Sequence, residues 1–402
     1  MGSKQFISGV LLICIALLFG CNSVDNKQTG NKGKIENDNG WMLLNVRKRT
    51  DVYPIIHKDT TEEFFCPVTK QKTNWQEYYI LNPAAVVKDN KVYLVFRGED
   101  KVGKYGGTSR LGLAVSDDGL NFTKLKGPIL FPDNDAYIDF EKEGGVEDPR
   151  IVEREEGGYI MTYTSFDGKR ARLSVATSPD LIQWKKEGLA FGKAEQGRYR
   201  DLWSKSGSII CRREGSKMIA TKINGKYWMY WGETDIYLAT SDDLINWYPE
   251  YKEEITGKLL SEYLGNGNYK ITFEPSILYF KVALSIRNKR FDSGLVEPGP
   301  PALITDKGIL LIYNGSNSHT YGDPSLLPGE YSVGQVLFDL QDPSCVIARC
   351  TDSFLKAESE VERTGQMNNT AFVEGMVYFN NKWLMYYVTG EANIGVAEQS
   401  PL

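Results

Sequence analysis

Carboxylates, amides and one arginine recur at the ends of short apolar hairpins along this sequence. Asn82, Asp148, Glu297 and Glu374 stand just before a first strand, and Arg97, Glu233, Asn314 and Glu391 just after a second. Hairpins arranged around a common axis would gather these residues at one end. A funnel lined in this way suits a neutral polyol or a cation and repels bulk anions. Paired carboxyl groups in such a funnel can cleave a glycosidic bond. One protonates the leaving oxygen, while the other activates water or attacks the sugar. The 23 Tyr and 8 Trp supply stacking faces for sugar rings, and Asn, Arg and Asp supply bonds to hydroxyls. Composition supports this chemistry without singling it out.

The elements that must position these groups are read from self-similarity. Residues 84–97, 149–165, 218–233, 301–315 and 374–390 each read as strand, polar turn and aromatic-rich strand. Their last aromatics are Phe96, Tyr163, Trp231, Tyr313 and Tyr387. An Asn224-Gly225 pair marks the turn of the third. Three units continue into a matching second half: LGLAVSDDGLNFTKL (111–125), LSVATSPDLIQWKKE (173–187) and YLATSDDLINWYPE (237–250). Each has a strand, a Ser-Asp turn and a closing aromatic. Residues 333–343 and 394–399 are degenerate versions. Units of about four short strands cannot bury a face alone and stack radially as blades. The expectation is an all-β, five-bladed propeller over residues 41–402.

Composition narrows the class further. The chain has 402 residues, 41% hydrophobic, with 47 Lys+Arg against 52 Asp+Glu and a net charge of −5. That is too apolar for a disordered chain and carries no basic patch for nucleic acid. Only two histidines occur, His57 and His319, which leaves no material for a His-built metal site. No metal or organic cofactor is expected. The first 20 residues read as a signal segment: Lys4, an apolar run from Phe6 to Phe19, then Gly20-Cys21. A small residue before Cys is the pattern of a bacterial lipoprotein, with Cys21 as the lipid-bearing residue. Residues 21–40 then read as a flexible tether. The expected address is an exported protein held to a bacterial membrane only through its N-terminal lipid. Cys66, Cys211, Cys345 and Cys350 form no disulfide framework, and the spacing leaves open whether the last two pair.

The segment GGVEDPRIVE (144–153), with Glu147-Asp148-Pro149-Arg150 heading the second hairpin, resembles the signature of glycoside hydrolase family 130. LNPAAVVKDNKVYLVFRGED (81–100), SRLGLAVSDDGLNF (109–122), GPPALITDKGILLIYNGS (299–316), DLQDPSCVIAR (339–349) and IGVAE (394–398) resemble it too. The resemblance covers about residues 75–398. It implies mannoside phosphorylases and β-mannosidases on a five-bladed propeller, and an inverting mechanism with Asp148 as proton donor. Taken alone, Asp148 is equally readable as a turn residue before Pro149.

A phosphorylase needs a basic cluster for phosphate. The position after the third hairpin, Tyr230-Trp231-Gly232-Glu233, has no base, and Glu297 precedes the fourth. Both segments resemble the family's β-1,2-mannosidase branch. The expectation is therefore a hydrolase releasing mannose from β-mannosides or mannose-rich glycans, with Glu233 or Glu297 activating water. The alternatives are a phosphorylase with another phosphate pocket, a non-catalytic glycan-binding propeller, and an arabinosidase-like furanosidase. Asn82, Arg97, Arg110 and Arg150 match polar positions of the family. Glu391 stands where relatives have an Asp, and Lys222 matches a family lysine that could equally face solvent. Asp201 and Trp203 lie on a loop able to reach the cleft, with Trp203 as a sugar platform. His319, on a long loop, reads equally as a hydroxyl ligand or a solvent-exposed side chain. Glu374 is open between a conformational and a substrate role.

Overall fold

The computed structural model describes residues 39–101, 107–255, 258–265, 268–274 and 277–399. The expected signal segment, Cys21 and all but the end of the expected tether lie outside the described residues.

The described residues between 40 and 399 form the expected five-bladed propeller. Blade 1 is built from Tyr79–Lys88, Lys91–Glu99, Ser109–Ser116 and Thr123–Lys124, each antiparallel to the next. Blade 2 repeats this with Gly145–Glu153, Tyr159–Phe166, Ala171–Ser178 and Lys185–Leu189. Blade 4 has Leu295–Pro298 and Ala302–Thr305 against Gly308–Ser316, followed by Tyr331–Phe338 and Val346–Arg349. Blade 5 takes Ala371–Phe379, Lys382–Thr389 and Ile394–Gln399 from the C-terminal end. Its outer strand, Val46–Lys48, comes from the start of the domain. Pairing the two ends of the chain within one sheet closes the ring and removes an exposed edge.

Blade 3 differs from the hairpin read at 218–233. Lys217–Ala220 pairs with Ser208–Glu214, and Tyr227–Trp231 pairs with the start of that same strand, Ser208 and Ile209. Across the Asn224-Gly225 turn only Ile223 and Lys226 bridge. The inner strand is thus Ser208–Glu214. The stretch at 218–220 is an added partner whose apolar residues imitate the repeat.

The Ser-Asp turns are one device used three times. In blades 1, 2 and 3 the hydroxyl of Ser116, Ser178 or Ser241 accepts the amide three residues on, at 2.8 to 2.9 Å. Asp118, Asp180 and Asp243 each accept two further amides at 2.8 to 2.9 Å. The indoles of Trp184 and Trp247 close their turns by donating to Leu181 and Leu244 carbonyls at 3.0 Å. Each turn satisfies its own backbone, so the blade edge stays ordered without tertiary help. The second strands carry the apolar packing. Phe96, Tyr163, Trp231, Tyr313 and Tyr387 are all buried between blades. Cys345 and Cys350 remain free thiols, the first exposed and the second buried.

Candidate active site

The inner strands break register where they approach the axis. Irregularities fall between Leu81 and Ala84, between Glu147 and Arg150, and between Val373 and Gly375. In blade 4, Gly299-Pro300-Pro301 separates the two inner segments. A bulge turns a side chain out of the alternating pattern and aims it elsewhere. Here it presents Asn82 and Asp148, both in left-handed backbone at φ +46° and +50°. Holding non-glycine residues there costs about 1–3 kcal/mol each, a strain that sites of chemistry commonly carry.

These residues surround a cavity of about 210 Å³. Asn82, Arg97, Asp148, Lys205, Glu233 and Glu297 line it with Gln366 and Thr370, and Tyr331, Met367 and Phe372 are among the remaining residues. All three carboxylates expected to do chemistry therefore share one cavity. Asp148 and Glu297 are almost fully covered, 5% and 6% exposed. Arg97 donates to Asp148 at 3.1 Å, to Glu147 at 2.9 Å and to Ser109 at 2.8 Å. Lys205 Nζ lies 3.5 Å from Asp148 Oδ2 and 3.7 Å from Glu233 Oε2.

Beneath the cavity, Arg150 is buried. It donates to the Gly299 carbonyl at 2.8 Å, the Pro298 carbonyl at 2.7 Å and the Asp148 carbonyl at 3.3 Å. Its Nη2 is 3.0 Å from Glu374 Oε1. Neither Glu374 oxygen takes a well-directed hydrogen bond.

Ionisation in this cluster is uneven. Burial pushes the Asp148 carboxyl up, but Lys205, Arg97 and Arg150 outweigh it and hold the group below the usual carboxylate range. Burial prevails at Glu147 and Glu297, whose carboxyls are raised despite nearby cations. Glu374 is pushed up to about 8 by burial, against the pull of Arg150. Burial opposes the charge on Lys205, yet Asp148, Glu297, Glu233 and Glu147 together keep it protonated. The site thus mixes a charged acid, a fixed cation and carboxyls biased toward their neutral form.

Several residues read as substrate contacts are placed elsewhere. Arg110 is buried against Asp100 at 2.6 Å and does not line the cavity, because a charge in the blade interior needs a partner. Asp201 pairs with Arg172 at 2.8 Å on the surface. Lys222 is exposed, its ammonium 5.0 Å from the Tyr227 ring centroid. His319 and Glu391 are exposed and line no part of the cavity. Arg150 and Glu374 lie below the cavity rather than at its wall. Asn314 is buried and bonded to the backbone of Val373, bridging blades 4 and 5. Trp203 is 48% exposed, and its indole N–H donates to Glu233 Oε1 at 2.6 Å.

Sequence reading missed Lys205 and Ser206. Ser206 donates to Glu297 Oε1 from a left-handed backbone at φ +59°. Both belong to the loop already suspected at Trp203, but only their spatial neighbours distinguish them from an ordinary polar run.

The chain is 30% identical over 337 residues to a 1,2-beta-oligomannan phosphorylase of Thermoanaerobacter sp. (strain X514), covering 82% of this chain and 92% of that one. A beta-1,2-mannobiose phosphorylase of the same organism is 28% identical over 336 residues, with 80% and 90% covered. A solved structure superposes with a TM-score of 0.81 at 39% identity, covering 91% of this chain and 96% of that one. Its description reads that the GH130 family of mannoside phosphorylases contains glycoside hydrolases that target beta-1,2 mannosidic linkages in Candida mannan.

These findings correct the expected chemistry. The curated relatives matched over most of the chain are named for phosphorolysis, so the reading of an inverting hydrolytic β-mannosidase, and of its mannosidase branch, is set aside. The physical reason it misled is visible in the cavity. A cation was sought beside Glu233 in sequence, whereas Lys205 reaches that place from a preceding loop. A family model described as beta-1,4-mannooligosaccharide phosphorylase matches residues 47–401, and the chain belongs to that family, glycoside hydrolase 130.

Proposed function

We propose that this protein cleaves β-mannosides by phosphorolysis, transferring a terminal mannosyl group to inorganic phosphate. The observation that carries the reading is Lys205, a cation fixed at the cavity wall between Asp148 and Glu233. With Arg97 it supplies the positive charge that a bound phosphate requires. Carboxyls would ordinarily repel that anion. Glu297, raised by burial, is biased toward the neutral acid and in that form donates to a phosphate oxygen rather than repelling it.

In the reaction, a phosphate oxygen bonds to the anomeric carbon as the glycosidic carbon–oxygen bond breaks. The departing oxygen takes a proton, and Asp148 is the donor assigned here. In the empty site its neighbouring cations favour the charged form. Phosphate bound beside Lys205 would neutralise part of that field and raise the proton affinity of Asp148. Loading of the nucleophile and protonation of the acid are thereby linked. Asn82 offers hydrogen bonds to the mannosyl hydroxyls.

The test is a product assay on a panel of β-mannobioses with and without phosphate, beginning with the β-1,2 isomer named in the curated relatives. Mannose 1-phosphate formed only when phosphate is present is the expected result. Free mannose released at the same rate without phosphate would overturn the proposal.

A further inference from the structure

One short segment touches all three carboxylates of the cavity. Trp203 donates to Glu233 at 2.6 Å. Two residues on, Lys205 reaches Asp148 at 3.5 Å and Glu233 at 3.7 Å. The next residue, Ser206, donates its hydroxyl to Glu297. Asp148, Glu233 and Glu297 come from three different blades, so no element containing them can set their mutual arrangement.

The segment is itself fastened to the scaffold. The Gly232 amide donates to the Lys205 carbonyl at 2.9 Å, which ties it to the turn bearing Glu233. The Ser204 amide donates to the Ala171 carbonyl at 3.1 Å, and the Ser204 hydroxyl accepts the Leu173 amide at 2.9 Å. Ser208 donates to the Pro300 carbonyl at 2.7 Å, beside the break that follows Glu297. Arg172 pins Asp201 at its leading end, 2.8 Å away. Ser206 is bent into the left-handed region to deliver its hydroxyl, although a glycine would take that backbone without strain.

We propose that residues 203–206 form a positioning strap that sets the geometry of the three carboxylates across the axis, with Ser206 as its positioning residue and Lys205 acting both as a strap residue and as the cation beside which phosphate binds. The proposal rests on the mannoside-cleaving reading of the cavity, but not on whether phosphate or water attacks. Lys205 is the group through which the strap acts on Asp148. Ser206 is the group through which it holds Glu297. The strap works by fixing side chains that would otherwise relax away from one another, since an acid misplaced by about 1 Å can cost roughly a hundredfold in rate.

The experiment compares Ser206→Ala, Ser206→Gly, Lys205→Met and Lys205→Arg with the parent, using whichever mannoside product the parent forms. Ser206→Gly relieves the backbone strain yet lacks the hydroxyl, so it separates the two roles of that residue. A strap predicts that Ser206→Ala and Ser206→Gly both lower kcat about tenfold or more with KM little changed. It predicts a larger loss in Lys205→Met, partly recovered in Lys205→Arg. Lys205→Met should also move the alkaline limb of the pH–kcat profile upward, because Asp148 loses a cation that favours its charged form. Unchanged kcat and pH profile in folded Ser206→Gly and Lys205→Met would overturn the strap, as would an effect confined to Ser206→Ala. Failure of the phosphorolysis reading shows separately, as phosphate-independent turnover in the parent.

Discussion

Two acid–base clusters in this propeller look alike by charge and by the burial of their carboxylates, and differ in what surrounds them. In blade 4, Asp292 is inaccessible and fully bonded. It accepts Arg287 at 2.7 Å, Arg349 at 2.5 Å and the Tyr313 hydroxyl at 2.7 Å. The arginines in turn donate to the Cys350 and Ser285 carbonyls, both at 2.8 Å. It does not line the axial cavity. The axial cluster likewise pairs buried carboxylates with cations, yet it opens on a cavity, holds Asp148 in a left-handed bulge and leaves both Glu374 oxygens without a well-directed partner. Burial and charge therefore do not mark a site of chemistry here. A strained backbone at the catalytic acid, together with free volume, does.

The comparison can be broken most sharply at its two acids. Asp148→Asn should lower mannoside turnover by roughly a thousandfold while the melting midpoint stays close to the parent. A variant that keeps appreciable turnover would show that Asp148, like Asp292, is structural. Asp292→Ala should do the reverse. It leaves the partly exposed Arg287 and Arg349 without their shared carboxylate and should cost about 1.5–3 kcal/mol in a urea titration, with kcat of the remaining folded protein near that of the parent.

Glu374 sharpens the contrast through pH. Its folded-state carboxyl is pushed up to about 8, above its unfolded value, so the native state binds the extra proton. The parent therefore loses stability as pH rises from the ordinary carboxylate range through about 8, where the native group ionises. Glu374→Gln removes that loss. Its advantage in melting midpoint over the parent should be small near pH 5 and grow toward pH 8, whereas an equal difference at both would place an ordinary carboxylate there. The smallest effect is expected far from both clusters. Ser178→Ala should cost about 1 kcal/mol by stripping a turn of its hydroxyl acceptor, with no change in kcat or KM.

The expected site residues differ in how legible they were in the sequence. Asp148, Glu233 and Glu297 sit at hairpin ends, which converge in a propeller, but so do Asn314 and Glu391, and it was the family resemblance that singled out the three. Arg110 and Asp201 were misplaced for the complementary reason. Their positions along the strands and loops are suitable, but the nearest opposite charge, Asp100 or Arg172, captures each one. A competing partner close in space cannot be seen from spacing alone. His319 and Glu391 fail similarly, since loop conformation rather than order along the chain decides whether a side chain turns inward.

Local repetition determined the blades. Alternating apolar strands, Ser-Asp turns and closing tryptophans interact over a few residues, so their pattern specifies strand, turn and the number of units without reference to anything distant. Closure by Val46–Lys48, the altered pairing of blade 3 and the convergence of Trp203, Lys205 and Ser206 on three carboxylates were decided only in the folded chain. The first two each join segments within one blade, and the third joins residues of different blades across a common axis. Their energies depend on distances and burial that exist only after the ring has closed. The sign of the charge presented to the attacking group belongs to this second kind: the sequence showed two glutamates, and the structure set a lysine beside one of them.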